Sequence, residues 1–281
     1  TREIIQSRSV RSRVLEPGYA YIRVASFSVD TGTEVKDALK KLHEENALKG
    51  VVMDLRNNPG GVLQSSVGVV DAFITEGLIV YTEGRIDNSE MRFEASNEDP
   101  SQGVPLVVLI NSGSASASEI VAGALQDHQR AIIMGTPSFG KGSVQTVLPL
   151  TNDRAIKLTT ALYFTPNGRS IQAKGIVPDI TVDRGQVTRI PESLISYREA
   201  DLTGHLENGN AADDSNEENA TENEEAAVIA AETQEPPEVL VRDYQLNEAV
   251  NVLKGLNIIR PRIMAESETQ LIEDIEGTSA R

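Results

Sequence analysis

Three short apolar runs constrain this chain more than any other feature. They are Gly50–Leu55, Pro105–Ile110 and Ala131–Met134. None alternates cleanly with polar residues, so each predicts a strand buried on both faces, as in a parallel sheet. Between them lie stretches with helical spacing: 33–48, with Val35, Leu39, Leu42 and Ala47 on one face, then 63–75 and Ser116–Gln126. Strands alternating with helices predict an α/β layered core. Val10–Leu15 and Tyr19–Val24 have strand composition and flank a Glu16-Pro17-Gly18 turn. Further extended segments are expected near 78–83, 91–94, 144–149, 155–160 and 162–164, with Pro166-Asn167-Gly168 as a turn.

The pattern fails over 203–239, which is rich in Asn, Glu, Asp and Ala. Eleven acidic residues and no basic one lie between Glu207 and Glu238, and they account for most of the net charge of −16. A segment this poor in large apolar side chains cannot offset its ordering entropy, and a disordered linker is expected. Apolar faces return at 241–255 and 261–276, two expected helices. The implied order is N-terminal strands over 1–27, a core over 28–202, an acidic linker over 203–239 and a helical region over 240–281. The apolar faces of that last region serve either self-assembly and partner binding or packing on the chain's own core.

With 281 residues the chain can bury a sizeable core. The acidic balance argues against nucleic acid as a partner. No apolar run reaches the roughly 18–20 residues of a membrane span. Thr1-Arg2-Glu3-Ile4-Ile5 carries no signal-peptide pattern, so any targeting segment is expected to be absent or removed. The absence of cysteine excludes disulfides and thiolate chemistry. His43, His128 and His205 lie far apart, and none has the spacing of a common metal motif. No metal and no cofactor is expected.

Three stretches carry chemistry. Asn111-Ser112-Gly113-Ser114-Ala115-Ser116-Ala117-Ser118-Glu119-Ile120 joins a strand to a helix. A serine there meets free N–H groups that favour an oxyanion, although Ser is also an ordinary helix cap. Gly135-Thr136-Pro137-Ser138-Phe139-Gly140-Lys141-Gly142-Ser143-Val144-Gln145 sets a lysine between two glycines. A neutral lysine can act as general base to a serine, with Phe139 and Val144 as apolar walls and Gln145 holding the amine. A solvated lysine in a turn is the plainer alternative. Asp54-Leu55-Arg56-Asn57-Asn58-Pro59-Gly60-Gly61-Val62 follows a strand. Its glycines offer bare N–H groups, or simply make the turn.

Taken together, Asp54–Gly61, Gly113–Ile120, Phe139–Gln145 and the run Ile156–Thr160, Pro166–Gln172 and Gly175–Asp179 resemble the carboxyl-terminal processing (tail-specific) peptidases, over roughly residues 10–185. The resemblance implies a crotonase/ClpP-like core of stacked βαβ units. It implies Ser116 as nucleophile, Lys141 as general base and Gln145 as the residue that orients it. The oxyanion hole would be the backbone N–H groups of Ala117 and of Gly61 in preference to Gly60. It further implies protein or peptide substrates taken through their C-terminal regions, an oligomer, an activating adaptor, and a periplasmic or cell-envelope location. Family members carry a PDZ domain before the core. No PDZ-like stretch is present, so the chain reads as starting just after one.

Two rival readings stand beside this. Ser138-Phe139-Gly140-Lys141 formally matches the Ser-x-x-Lys of penicillin-binding acyltransferases, but that motif needs a helix, which Pro137, Gly140 and Gly142 oppose. A catalytically silent scaffold is the non-enzyme alternative.

Overall fold

The computed structural model describes residues 8–45, 47–84, 90–150, 154–185 and 238–259. Ten strands and five helices lie within them. They run β1 (Val10–Glu16), β2 (Tyr19–Val24), α1 (Thr31–Glu45), β3 (Gly50–Asp54), α2 (Leu63–Val70), β4 (Leu78–Gly84), β5 (Arg92–Glu94), β6 (Leu106–Ile110) and α3 (Ala117–Asp127). After these come β7 (Ile132–Gly135), β8 (Ser143–Pro149), β9 (Ala155–Phe164), β10 (Ile180–Thr181), α4 (Glu238–Arg242) and a helix over 244–259, α5. Residues 1–185 with 243–281 form one compact unit, and 186–242 form a second, whose described part is α4. The segment 203–237 and the helix expected over 261–276 lie outside the described residues.

The main sheet has the order β1-β2-β3-β6-β7-β10. β2, β3, β6, β7 and β10 are parallel, and β1 pairs antiparallel with β2. The three apolar runs are thus adjacent strands, and every residue of β3 and β6 is buried. Alternation divides their side chains between two faces. Val51, Met53, Val108 and Ile110 join a cluster with Val35, Leu39, Val69, Phe73, Ile120 and Leu125 from the α1, α2 and α3 side. Val52, Val107, Leu109 and Met134 are buried on the opposite face. A methyl group at Gly50 would point to that face and meet the Leu253 side chain at 3.1 Å.

α5 therefore covers the second face. Its apolar residues Leu246, Ala249, Val250 and Leu253 are buried, and Asn257 Nδ2 donates to the Lys49 carbonyl at 2.8 Å. The face offered by sequence as a partner surface is, over 244–259, turned onto the chain's own core. The physical reason is the unbroken apolar character of β3 and β6, which needs cover on both sides.

α2 stops at Val70, short of the expected 75, and Phe73 N donates to the Val70 carbonyl in a tighter turn. β9 is one strand, because Ala161 pairs with both Val144 and Gly84. β4, β5, β8 and β9 make a second, antiparallel sheet of order β5-β4-β9-β8.

An ion network fastens α5 at its start. Arg56 binds Asp54 through Nε and Nη2, and Asp243 through Nη1 at 2.9 Å and Nη2 at 2.6 Å. Arg23 and the Tyr21 hydroxyl also bind Asp54, each at 2.8 Å. Burial alone would push the Asp54 carboxyl up, but hydrogen bonds and charge from Arg56, with the charge of Arg23, hold it below the usual carboxylate range. A folded value below the unfolded one near 3.9 gives stabilisation that is complete above that pH and is lost as pH falls through the lower folded value. Asp54→Asn is expected to lower stability at pH 7, and its deficit against wild type should shrink below about pH 4. Urea midpoints at pH 7, 4 and 3 measure this; a deficit constant across the series would contradict it.

Candidate active site

Adjacent parallel strands release their C-terminal loops along one edge of a sheet, where open α/β sheets form crevices. β3 leads to the turn 57–61, β6 to 111–116 and then α3, and β7 to the loop 136–142. The first two loops are joined through Asn58, which is fully buried. Its carbonyl accepts from Ala115 N at 3.0 Å and from Ser118 Oγ at 2.9 Å, and its Nδ2 donates to the Val24 carbonyl.

Ser116 occupies the N-cap of α3 with φ 56° and ψ −113°. A non-glycine residue at positive φ is uncommon and is held only by its surroundings. Gly60 is pressed against it: a methyl group there would lie 2.6 Å from the Ala115 carbonyl oxygen and 2.8 Å from Ser116 Cβ, at φ +95°. The Gly60 N–H is already engaged by Asn58 Oδ1 at 2.9 Å. Gly61 differs. Its neighbours bond to Phe27, through Phe27 N to Gly60 O and Val62 N to Phe27 O, and its own N–H has no acceptor among the described residues. The same holds for Ala117 N–H at the first turn of α3, where helix N–H groups have no intrahelical partner.

Glu119 joins these loops to the third. Its carboxylate is fully buried and accepts four hydrogen bonds: Ser116 N (2.7 Å) and Lys141 N (2.9 Å) on Oε2, Ser138 Oγ (2.6 Å) and Gly140 N (2.6 Å) on Oε1. Gly142 N donates to Gln172 Oε1 at 3.1 Å, and a methyl group at Gly142 would meet Gln172 N at 2.4 Å. The glycines beside Lys141 therefore admit the 171–175 segment at close range.

The hydroxyl of Ser116 lies 3.3 Å from the Tyr163 hydroxyl of β9. Burial raises the Tyr163 phenol, its bond to Ser116 lowers it and the charge of Glu119 raises it, with a net rise that keeps the phenol protonated. Lys141 is half-buried, and Gln145 is exposed beside a bulge in β8. Among the described residues, the Lys141 ammonium hydrogen-bonds neither the Ser116 hydroxyl nor Gln145. Phe139 is 67% exposed and is not the wall expected for Lys141, because its N–H is turned in to the Ser114 carbonyl; Val144 does pack against the core. Residues 136–142 form a loop, not the helix a Ser-x-x-Lys site needs, and Ser138 Oγ is occupied by Glu119 and by Ile176 N. Among the described residues no group of three or more His, Asp and Glu side chains could hold a metal ion.

Comparison with known proteins decides the family. Peptidase family S41 matches residues 18–182. The chain belongs to peptidase family S41. It is 44% identical to the carboxy-terminal-processing protease of Bartonella bacilliformis over 257 residues, 90% of this chain and 56% of that protein. It is 41% identical to the carboxyl-terminal-processing protease of a Synechocystis strain over 203 residues, 71% of this chain and 45% of that protein. Among solved structures, a photosystem II D1 C-terminal processing protease superposes with a TM-score of 0.57 at 33% identity, covering 65% of this chain and 50% of that one. The chain spans about half the length of the curated S41 relatives it matches.

Sequence reasoning missed Glu119, Asn58 and Tyr163 as parts of this candidate site. Glu119 carried a signal, because Ser116-Ala117-Ser118-Glu119 has the Ser-x-x-Glu form of a capping box. Tyr163 carried none, being brought in by the second sheet. Gly60→Ala is expected to displace Ser116 and to slow its covalent labelling by a fluorophosphonate about 10²-fold, the scale of a misplacement near 1 Å. Labelling at the wild-type rate would show that Gly60 does not set the position of Ser116.

Proposed function

We propose that this chain is the catalytic core of a serine endopeptidase of the carboxyl-terminal processing type. The observation that carries the reading is the strained Ser116 at the head of α3, beside the two unengaged N–H groups of Gly61 and Ala117. Lys141, as free amine, takes the Ser116 proton while Oγ attacks a peptide carbonyl. Gly61 N–H and Ala117 N–H hold the oxyanion, and Gly61 is favoured over Gly60 because the Gly60 N–H is consumed by Asn58. The lysine ammonium then protonates the leaving amine, and water hydrolyses the acyl-enzyme by the reverse route. Gln145 orients the amine. Catalytic hydrogen bonds often tighten only when substrate enters, so the absence of a Ser116–Lys141 bond without substrate is compatible with the dyad.

The parallel β2-β3-β6-β7 order with intervening helices suits a crotonase-like stack of βαβ units. Substrate would be an extended polypeptide lying by β-addition along β9. A cavity of about 590 Å³ lined by Glu83, Gly84 and Leu158–Leu162 adjoins that strand. Recognition of substrate C-termini, an activating adaptor, self-assembly through the region after 259 and an envelope location complete the reading by analogy with the family. Among the described residues no helix is long and apolar enough to cross a membrane.

Ser116→Ala and Lys141→Ala are each expected to cut hydrolysis of an unfolded protein by at least ~10⁴-fold, as removal of residues acting as one unit does. Turnover is followed by release of fluorescent fragments from a quenched, labelled protein. Activity within tenfold of wild type in either variant would remove that residue from the mechanism.

A further inference from the structure

The Ser116–Lys141 assignment leaves unexplained what fixes the separation of two residues on different loops. Among the described residues, the direct link between their backbones runs through a single oxygen atom. Glu119 Oε2 accepts Ser116 N at 2.7 Å and Lys141 N at 2.9 Å, while Oε1 accepts Ser138 Oγ and Gly140 N, each at 2.6 Å. Four donors fill the four acceptor sites that two ionised carboxylate oxygens provide. A protonated acid or an amide would bring a donor of its own to one of these positions and could not satisfy all four. Glu119 itself is the third residue of α3 and is fully buried.

We propose that Glu119 is a positioning residue, whose Oε2 acts as a two-ended clamp that sets nucleophile against general base. Through Ser116 N it holds the strained N-cap conformation. Through Lys141 N and Gly140 N it holds the lysine loop at a fixed reach from that cap. Gly140 at φ +92° is what allows consecutive N–H groups of the loop to converge on one carboxylate. Hydrogen bonds to an ionised acceptor are the strong ones, and burial of Glu119 strengthens them further. Ser138 belongs to the support of this clamp, since its hydroxyl donates to Oε1 and accepts from Ile176 N at 2.7 Å. The Ser138 hydroxyl bears on the far oxygen and not on the one that joins the dyad.

The inference rests on the dyad reading above and is tested on the same chain. Glu119→Gln, Glu119→Asp and Ser138→Ala are compared with wild type, with Ser116→Ala and Lys141→Ala alongside. The readouts are kcat and KM on the quenched protein, the second-order rate of fluorophosphonate labelling, and the folded fraction by circular dichroism. In Glu119→Gln, kcat and the labelling rate per folded molecule are expected to fall about 10²-fold, with KM within about threefold, because positioning and not binding is lost. Ser138→Ala, which removes one donor from the clamp, is expected to lower kcat and the labelling rate per folded molecule by less than Glu119→Gln does, about tenfold, with KM within about threefold. A merely structural Glu119 would lower the folded fraction and leave both rates per folded molecule unchanged, which overturns the proposal. If Glu119→Gln does not fold, Glu119→Asp decides: it keeps the charge but withdraws both oxygens by one methylene, so wild-type kcat there also overturns it. Full turnover in Ser116→Ala or Lys141→Ala would overturn the dyad and this inference together. Inactivity of both with a wild-type-like Glu119→Gln would overturn the inference alone.

Discussion

A carboxylate taken wholly out of water is costly unless its lone pairs are matched, and Glu119 is matched by four donors from two separate segments of the chain, Ser116 and the loop 138–141. The cost of leaving any of them unmet gives the arrangement its force. The loop after β6, the start of α3 and the loop after β7 cannot move apart without stranding a buried charge. The same side chain holds the N–H of Ser116 at its positive φ and takes the N–H of Gly140, whose φ is +92°. The turn after β3 is drawn in by a neutral counterpart, Asn58, whose carbonyl takes Ala115 N and Ser118 Oγ. Between them, Glu119 and Asn58 assemble loops from three parallel strands into one site.

The scaffold beneath is equally constrained. β3 and β6 present apolar side chains to both faces, so helices must cover both. α1, α2 and α3 cover one. α5, from a stretch separated from the core by a long acidic segment, covers the other, and Arg56 fastens it by bridging Asp54 and Asp243. Asp54 ends β3, and the Gly60-Gly61 turn begins a few residues later. The anchoring of α5 and the placing of one proposed oxyanion donor, Gly61, thus share one strand end.

Much of this was legible in the sequence, for identifiable reasons. The runs at 50–55, 105–110 and 131–134 have the period and composition of buried strands, and the glycines at 60, 61, 140 and 142 mark turns. The spacing of Ser116 and Lys141 with those turns carried the family resemblance. What sequence could not show was pairing across distance. Tyr163 reaches Ser116 only because β9 joins a second sheet, and nothing at 163 announces it. Asp243 finds Arg56 across 187 residues. Phe139 is apolar, and so read as a wall, but the inward turn of its backbone N–H leaves the ring in solvent. Glu119 was in plain view within Ser-x-x-Glu, yet helix capping accounts for only one of its four bonds.

Ser116, among the many serines of this chain, is the one proposed to be activated. The most direct measurement is mass-spectrometric mapping of the adduct formed when the intact chain is treated with a fluorophosphonate. One adduct, confined to the peptide bearing Ser116 and absent after denaturation, is the predicted result. An adduct on Ser138 or another serine, or none on the folded chain, would contradict it.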